Sequence, residues 1–442
     1  MGEKSFFITG KKPRGRWHTV IDHTVSEPFK DMRLIKKAEE AARLVYVGQR
    51  EDGWRIYVES REKEEEQQSI HGPFSWIGSE KNGPTIRDFN TNYDQFHFVA
   101  GRGDNQHVGL FGKGNKVLLS PAFSEVTYRN FKAAGLPIYE GKKDDLYTII
   151  HGAKAGTMYE AIDRLKSIEK GASFVYVGEQ EGRFQIVHGG KPLSKVDNVS
   201  AVATTKPSEK LIALVTDGNG MKIYHQDKFS KSAEEITAIR KRKDDGLAWL
   251  LFDGEGERVS RDHVRGQRFE KVDALNLSPS GKLWYDADKD GYKHRVLEDK
   301  VGNPANRLTA PVFTPDDDQM VYGHMRRAAD NDDPDLYVER WKVVDESGVG
   351  RAFIRTPSSK NPDMAVRFQL GAKGSAYHYI VNVDAGTFVG TNRKAYGPFD
   401  TIKEPTVSND GSRISFFAED DAGWHLHHKG KPGAGFDQTF GL

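Results

Sequence analysis

Cysteine is absent from the 442 residues, which excludes disulfides, thiol nucleophiles and thiolate metal sites. Charge of one sign is not in excess either. The 65 Lys and Arg stand against 64 Asp and Glu, a formal net charge of +1. That balance removes the electrostatic footprint of a nucleic-acid binder or a polybasic membrane-surface protein. Mean hydropathy is −0.66, and no stretch nears the ~20 apolar residues needed to span a bilayer. Neither nucleic acid nor membrane insertion is expected. G-x-S-x-G, H-E-x-x-H and P-loop signatures are missing. The glycine-rich GLFGKGNK (109–116) follows a strand pattern and offers no helix to receive a phosphate.

Turns and aromatics are plentiful. With 45 glycines and 11% aromatic residues, the composition favours β structure with many turns. One unit recurs: a short aromatic and β-branched strand, a turn rich in Asp, Gly or Asn, then a second alternating strand. Examples are LVYVG (44–48) with WRIYVES (54–60), FVYVG (174–178) with RFQIVHG (183–189), and ISFFAE (414–419) with WHLHHKG (424–430). The second strand of successive hairpins is marked at 16, 54, 107, 146, 183, 221, 257, 292, 336, 377 and 424. The average spacing is about 41 residues, within the ~40–45 of a four-stranded propeller blade. The helix-like KKAEEAARLVYV (36–47) aligns with IDRLKSIEKGASFVYVG (162–178), whose Gly171 suits a helix poorly, so both read as strand and turn.

The fold expected over 1–442 is therefore an all-β propeller of four-stranded antiparallel blades. A single large ring of ten or eleven blades is favoured, and two smaller rings dividing after about residue 220 are the alternative. The first unit lacks an inner strand, and GFDQT (435–439) resembles GPFDT (397–401). Pairing of the two chain ends would close the ring and hide its sheet edges. LTAPVFTPDDDQMVYG (308–323), LNLSPSGKLWYDADKDG (275–291) and GPFDTIKEPTVSNDG (397–411) are similar to the WD40-like repeats of TolB-type bacterial β-propellers, with the Ser-Pro-Asp-Gly turn decayed in early units. The resemblance implies a binding module without a catalytic motif, commonly extracytoplasmic. MGEKSFFITG lacks a basic segment followed by an apolar one, so no signal peptide is read there, although a Met-Gly start also fits a chain after signal removal.

Candidate chemistry is sparse. DADKDG (286–291) sets Asp286, Asp288 and Asp290 at the spacing of a Ca²⁺ loop, but His294 and Leu297 stand where further ligands belong, and a polar hairpin turn is the plainer reading. No other cofactor is expected. His425 and His427 fall on one strand face about 7 Å apart, a possible imidazole pair without a nameable third ligand; His428 completes the cluster. Arg102-Gly103-Asp104 occupies a hairpin tip, where ordinary turn chemistry explains it. The acidic groups at 316–318 and at Asp330, Asp332, Asp333 and Asp335, the basic run at 240–243, and the mixed run ESREKEEEQQ (59–68) read as solvated loops, the last within an inserted outer loop over 62–83. Asn198 and Asn276 fit the N-glycosylation spacing. The reading that results is a monomeric, non-catalytic binding scaffold presenting loops and a central channel to a protein or glycan. A propeller hydrolase or lyase acting on polysaccharide or peptide is the alternative, and a calcium-dependent adhesion module the third.

Overall fold

The computed structural model describes residues 7–11, 15–21, 24–38, 43–62, 65–78, 86–87, 95–112, 116–316, 318–329, 337–346, 348–355, 366–383, 385–391 and 394–436. These fold into strands joined by turns, with one short 3-10 turn at Glu169–Gly171. Among them no helix is long and apolar enough to cross a membrane. Among the described residues eleven antiparallel sheets follow one another along the chain: one of three strands, the others of four or five. In each, pairing joins strands close in sequence, with two short segments sharing one partner strand in three of the sheets, so every sheet is a local meander. This is the blade architecture of a β-propeller. The chain divides into two compact units, Met1–Phe229 with six sheets and Ser230–Leu442 with five.

Within each unit, consecutive sheets pack face to face through alternating apolar residues. Ile168, Val175, Val177 and Ile186 share a core with Val199, Leu211, Ala213 and Val215 of the next sheet. Val321, Met325, Trp341 and Val343 do the same with Tyr377, Tyr379, Val381 and Phe388. The segment leading into each new sheet ties it to the one before. Phe29 exchanges backbone hydrogen bonds with Trp17 of the preceding sheet (3.0 and 2.9 Å), while Lys30 donates to Gln49 of its own sheet (2.8 Å). The fully buried Phe29 ring then lies over Gly48, where an added Cβ would come within 2.5 Å of it. Phe123 repeats the arrangement over Gly141, bridging to Gln106, and Tyr159 repeats it over Gly178, bridging to Tyr147. At the equivalent register Phe74, Phe269 and Phe399 meet Ala100, Ala287 and Ala418. A large ring stands over a residue with little or no side chain. That is why VYVG ends in glycine.

The second hairpin strands begin at Trp17, Gly53, Asn105, Leu146, Arg183, Gly220, Glu257, Tyr292, Tyr337, Gly386 and Gly423. The expected start at 377 needs correction: Tyr377–Val383 is the first strand of its hairpin and Gly386–Thr391 the second. Its three glycines disguise GTFVGTNRKAYG as a turn, yet Gly390 is there to receive the Tyr379 ring. The run at 59–68 is also not a loop. Gly53–Glu62 and Glu65–Phe74 continue as a paired ladder through Ser60↔Gln67 and Arg61↔Glu66, because backbone hydrogen bonds form whatever the side-chain charge. Asp31–Ala38 and Arg43–Arg50 are strands, as the alignment with 162–178 implies. Closure of the chain ends concerns 1–6 and 437–442, which lie outside the described residues. Lys431–Phe436 forms the fourth strand of its own sheet.

Gly178→Ala is expected to lower unfolding free energy by about 1–3 kcal/mol through overpacking against Tyr159. Urea denaturation checks it, and a Gly178→Ala/Tyr159→Ala double variant should lose less than the sum of the single losses.

Candidate functional site

At one junction in the second unit the ring over glycine or alanine gives way to a small side chain facing a histidine. Ala305 bridges to Lys293, and Asn306 donates to the Met325 carbonyl at 2.8 Å, as elsewhere. The lead-in side chain here is only a methyl, however, and the residue at the glycine register is His324. A cleft of 660 Å³ occupies this place, within the ~300–1,000 Å³ usual for small-ligand sites. It lies between the sheet containing Leu283–Lys289 and Tyr292–Leu297 and the one containing Met320–Ala329 and Tyr337–Asp345.

Alternation builds its walls. Met320, Tyr322, His324 and Arg326 share one face of their strand, while Val321 and Met325 face the opposite core. Directly across the ladder, His324 opposes Lys342 and Arg326 opposes Arg340. Arg295, 3% exposed, holds Asp286 through Nε and Nη2, both at 2.8 Å. Its guanidinium sits 4.4 Å from the Tyr322 ring centre and 5.3 Å from that of Trp284, bridging the two sheets by cation–π contact. Nη1 of Arg295 has no partner among the described residues. His324 donates from Nε2 to the Pro304 carbonyl at 3.0 Å, and burial lowers its pKa below the ordinary 6.5, keeping the ring neutral at pH 7.

The cleft carboxylates are all engaged. Glu346 accepts from Lys282 and from the Met320 amide, both at 3.1 Å. Asp345 accepts from the Tyr377 hydroxyl at 2.8 Å. Glu298 accepts from the Leu283 amide at 2.7 Å and from Arg261. Arg326 lies 4.6 Å from the Tyr292 ring centre and donates to the Pro304 carbonyl at 3.2 Å, with no carboxylate partner among the described residues.

The three aspartates singled out in the sequence do not gather round one point. Asp286 and Asp288 lie within a strand, and Asp290 occupies the turn at φ 52°. Asp286 pairs with Arg295, Asp288 pairs with Lys293 at 2.9 Å, and the Asp290 amide donates to Glu270 at 2.8 Å. Among the described residues no three His, Asp or Glu side chains are grouped to hold a metal ion. His427 is buried, stacked 5.0 Å on Phe416 and edge-on to Phe399 at 4.9 Å. His425 approaches Asp420 at 3.6 Å, and His428 bonds the Ser415 hydroxyl at 2.8 Å. Arg102-Gly103-Asp104 does form a hairpin tip, with the Arg102 guanidinium folded 5.2 Å over Phe74.

Two charged runs are more structured than solvated loops. Asp318 is buried and accepts from the Ser278 and Ser280 hydroxyls, which tie adjacent sheets together. Arg242 lies among Asp244, Asp262 and Glu298. The aspartates at 330–335 lie outside the described residues. Arg295, Tyr322, His324, Arg326 and Lys342 were not anticipated. The signal available was YGHMR (322–326), which puts Tyr, His and Arg where other units alternate apolar residues.

No family model matches the chain, and no curated protein matches it. Solved structures similar to it include the dihydro-heme d1 dehydrogenase NirN, at 11% identity over 81% of this chain and 77% of that one (TM-score 0.21). The β-propeller domain of the trilobed protease from Pyrococcus furiosus is 9% identical over 62% and 94% (TM-score 0.22). TolB from Acinetobacter baumannii is 8% identical over 68% and 82% (TM-score 0.19).

Two predictions follow the charges. Asp286→Asn strips the buried Arg295 of its counter-ion and should cost about 3–5 kcal/mol. Asp288→Asn opens a solvent-exposed pair and should cost about 1 kcal/mol or less. A cation shared by Asp286, Asp288 and Asp290 would instead equalise the two and make both chelator-sensitive, which thermal melts with and without EDTA decide. Burial also lowers the pKa of His378 and His427. Stability from these rings and His324 is present above the unfolded value of 6.5 and is lost as pH falls below it, because the unfolded chain takes up protons the folded one resists. His427→Phe should shrink the difference between urea midpoints at pH 7.5 and pH 5.

Proposed function

We propose that the protein is a non-catalytic binding propeller that presents loops and the cleft of its second unit to a protein or glycan partner. One observation carries this reading: each cleft carboxylate is already held by a cation, amide or hydroxyl of the protein. Glu298, Asp345 and Glu346 are thereby kept as fixed acceptors, a state unlike the poised acid–base pair hydrolysis requires. The cleft histidine donates to a main-chain carbonyl, and the cleft lining holds no serine or threonine for it to activate. A pocket of fixed charges on paired strands suits recognition, since little rearrangement is needed when a ligand arrives.

Incubation with panels of oligosaccharides and peptides should give binding without turnover. Product formation that is lost in Glu298→Gln or Glu346→Gln would overturn the binding reading in favour of a hydrolase or lyase.

A further inference from the structure

The cleft holds more positive charge than its own acids neutralise. Arg295 is balanced by Asp286 and Lys282 by Glu346, while Glu298 is held by Arg261 from outside the lining. Arg326, Lys342 and the exposed Lys300 remain, with no carboxylate pairing them among the described residues, against the Asp345 carboxylate, which accepts from the Tyr377 hydroxyl. The ladder adds to this surplus. Arg326 directly opposes Arg340, a like-charge cross-strand pair, and Lys342 lies beside it across from the neutral His324. Like charges in directly opposed positions destabilise a sheet. A bound anion would reverse that penalty. Arg295 also lines the cleft, and its buried Nη1 has no hydrogen-bond partner among the described residues. Leu297, Val301, Pro304 and Val344 supply apolar wall beside these donors.

From this arrangement we infer that the cleft is a binding site for the anionic group of a small organic acid or ester, free or at the end of a glycan. Arg326 and Lys342 contact the oxyanion, with the charge of Arg295 behind them, and the apolar wall contacts its carbon body. The inference rests on the binding reading above and names its ligand chemistry. Carboxylate, phosphate ester and sulfate ester share what these donors recognise, because each offers several oxygen acceptors on one charged centre.

Calorimetric titration of the full chain at low salt tests it with glucuronate, glucose 6-phosphate and glucose 6-sulfate, each against glucose, and with inorganic phosphate. At least one acid should bind ten-fold or more tighter than glucose and tighter than inorganic phosphate, and the preferred acid identifies the group. Affinity should fall ten-fold or more in Lys342→Gln and Arg326→Gln, and should weaken as salt rises. Both variants keep the Arg295–Asp286 pair, and an unchanged melting temperature separates lost binding from lost fold. Equal affinity for glucose and every acid, or acid binding untouched by both substitutions, would overturn the inference. Neither result bears on catalysis, whereas turnover would overturn the non-catalytic reading and leave an oxyanion site standing.

Discussion

At most of the described junctions a large ring laid over a residue with almost no side chain holds one sheet to the one before it. Phe29 over Gly48, Phe123 over Gly141 and Tyr159 over Gly178 each combine two roles. The backbone of the aromatic residue pairs with the preceding sheet, while its ring fills the hollow of the following one. Close-packed interiors leave no slack at such a contact, so ring and hollow have to be matched in size. Where Ala305 supplies only a methyl, the hollow stays open, and polar side chains line it. The cleft is thus the complement of the packing seen where a ring covers glycine or alanine.

The repeat was legible because period-two alternation and Gly-rich turns are local signals, and a blade is assembled almost wholly from local pairings. The same logic explains the failure at 377, where a strand carrying Gly386 and Gly390 looked like a turn. Glycine there serves the packing of Tyr379, a partner on the neighbouring strand that composition alone does not disclose. The charged ladder beyond Ser60 escaped for a related reason. Hydrogen bonding between backbones is indifferent to side-chain charge, so a run of charged side chains carries no mark of it.

The candidate site was barely legible, because its donors come from different strands and their partners lie far along the chain. DADKDG drew notice as a cation loop, whereas Asp286 in fact balances the buried guanidinium that lines the cleft. The motif was near the chemistry for another reason. A strand conformation directs Asp286 and Asp288 to the same face but spaces them about 7 Å apart, too far to converge as a loop would bring them. Whether a carboxylate meets an ion or an arginine depends on a neighbour nine residues away, Arg295, which a pattern of aspartates does not contain.

The order of the strands has a mechanical consequence. Every sheet within a unit is a meander whose hydrogen bonds join segments close in the chain, and each sheet leans only on its immediate neighbours. Among the described residues, tension applied along the polypeptide would meet no distant cross-link that shares the load across a unit. Such a body yields in small steps, one meander peeling free while its neighbours stay folded, and the extension gained at each step is set by the length of a single repeat.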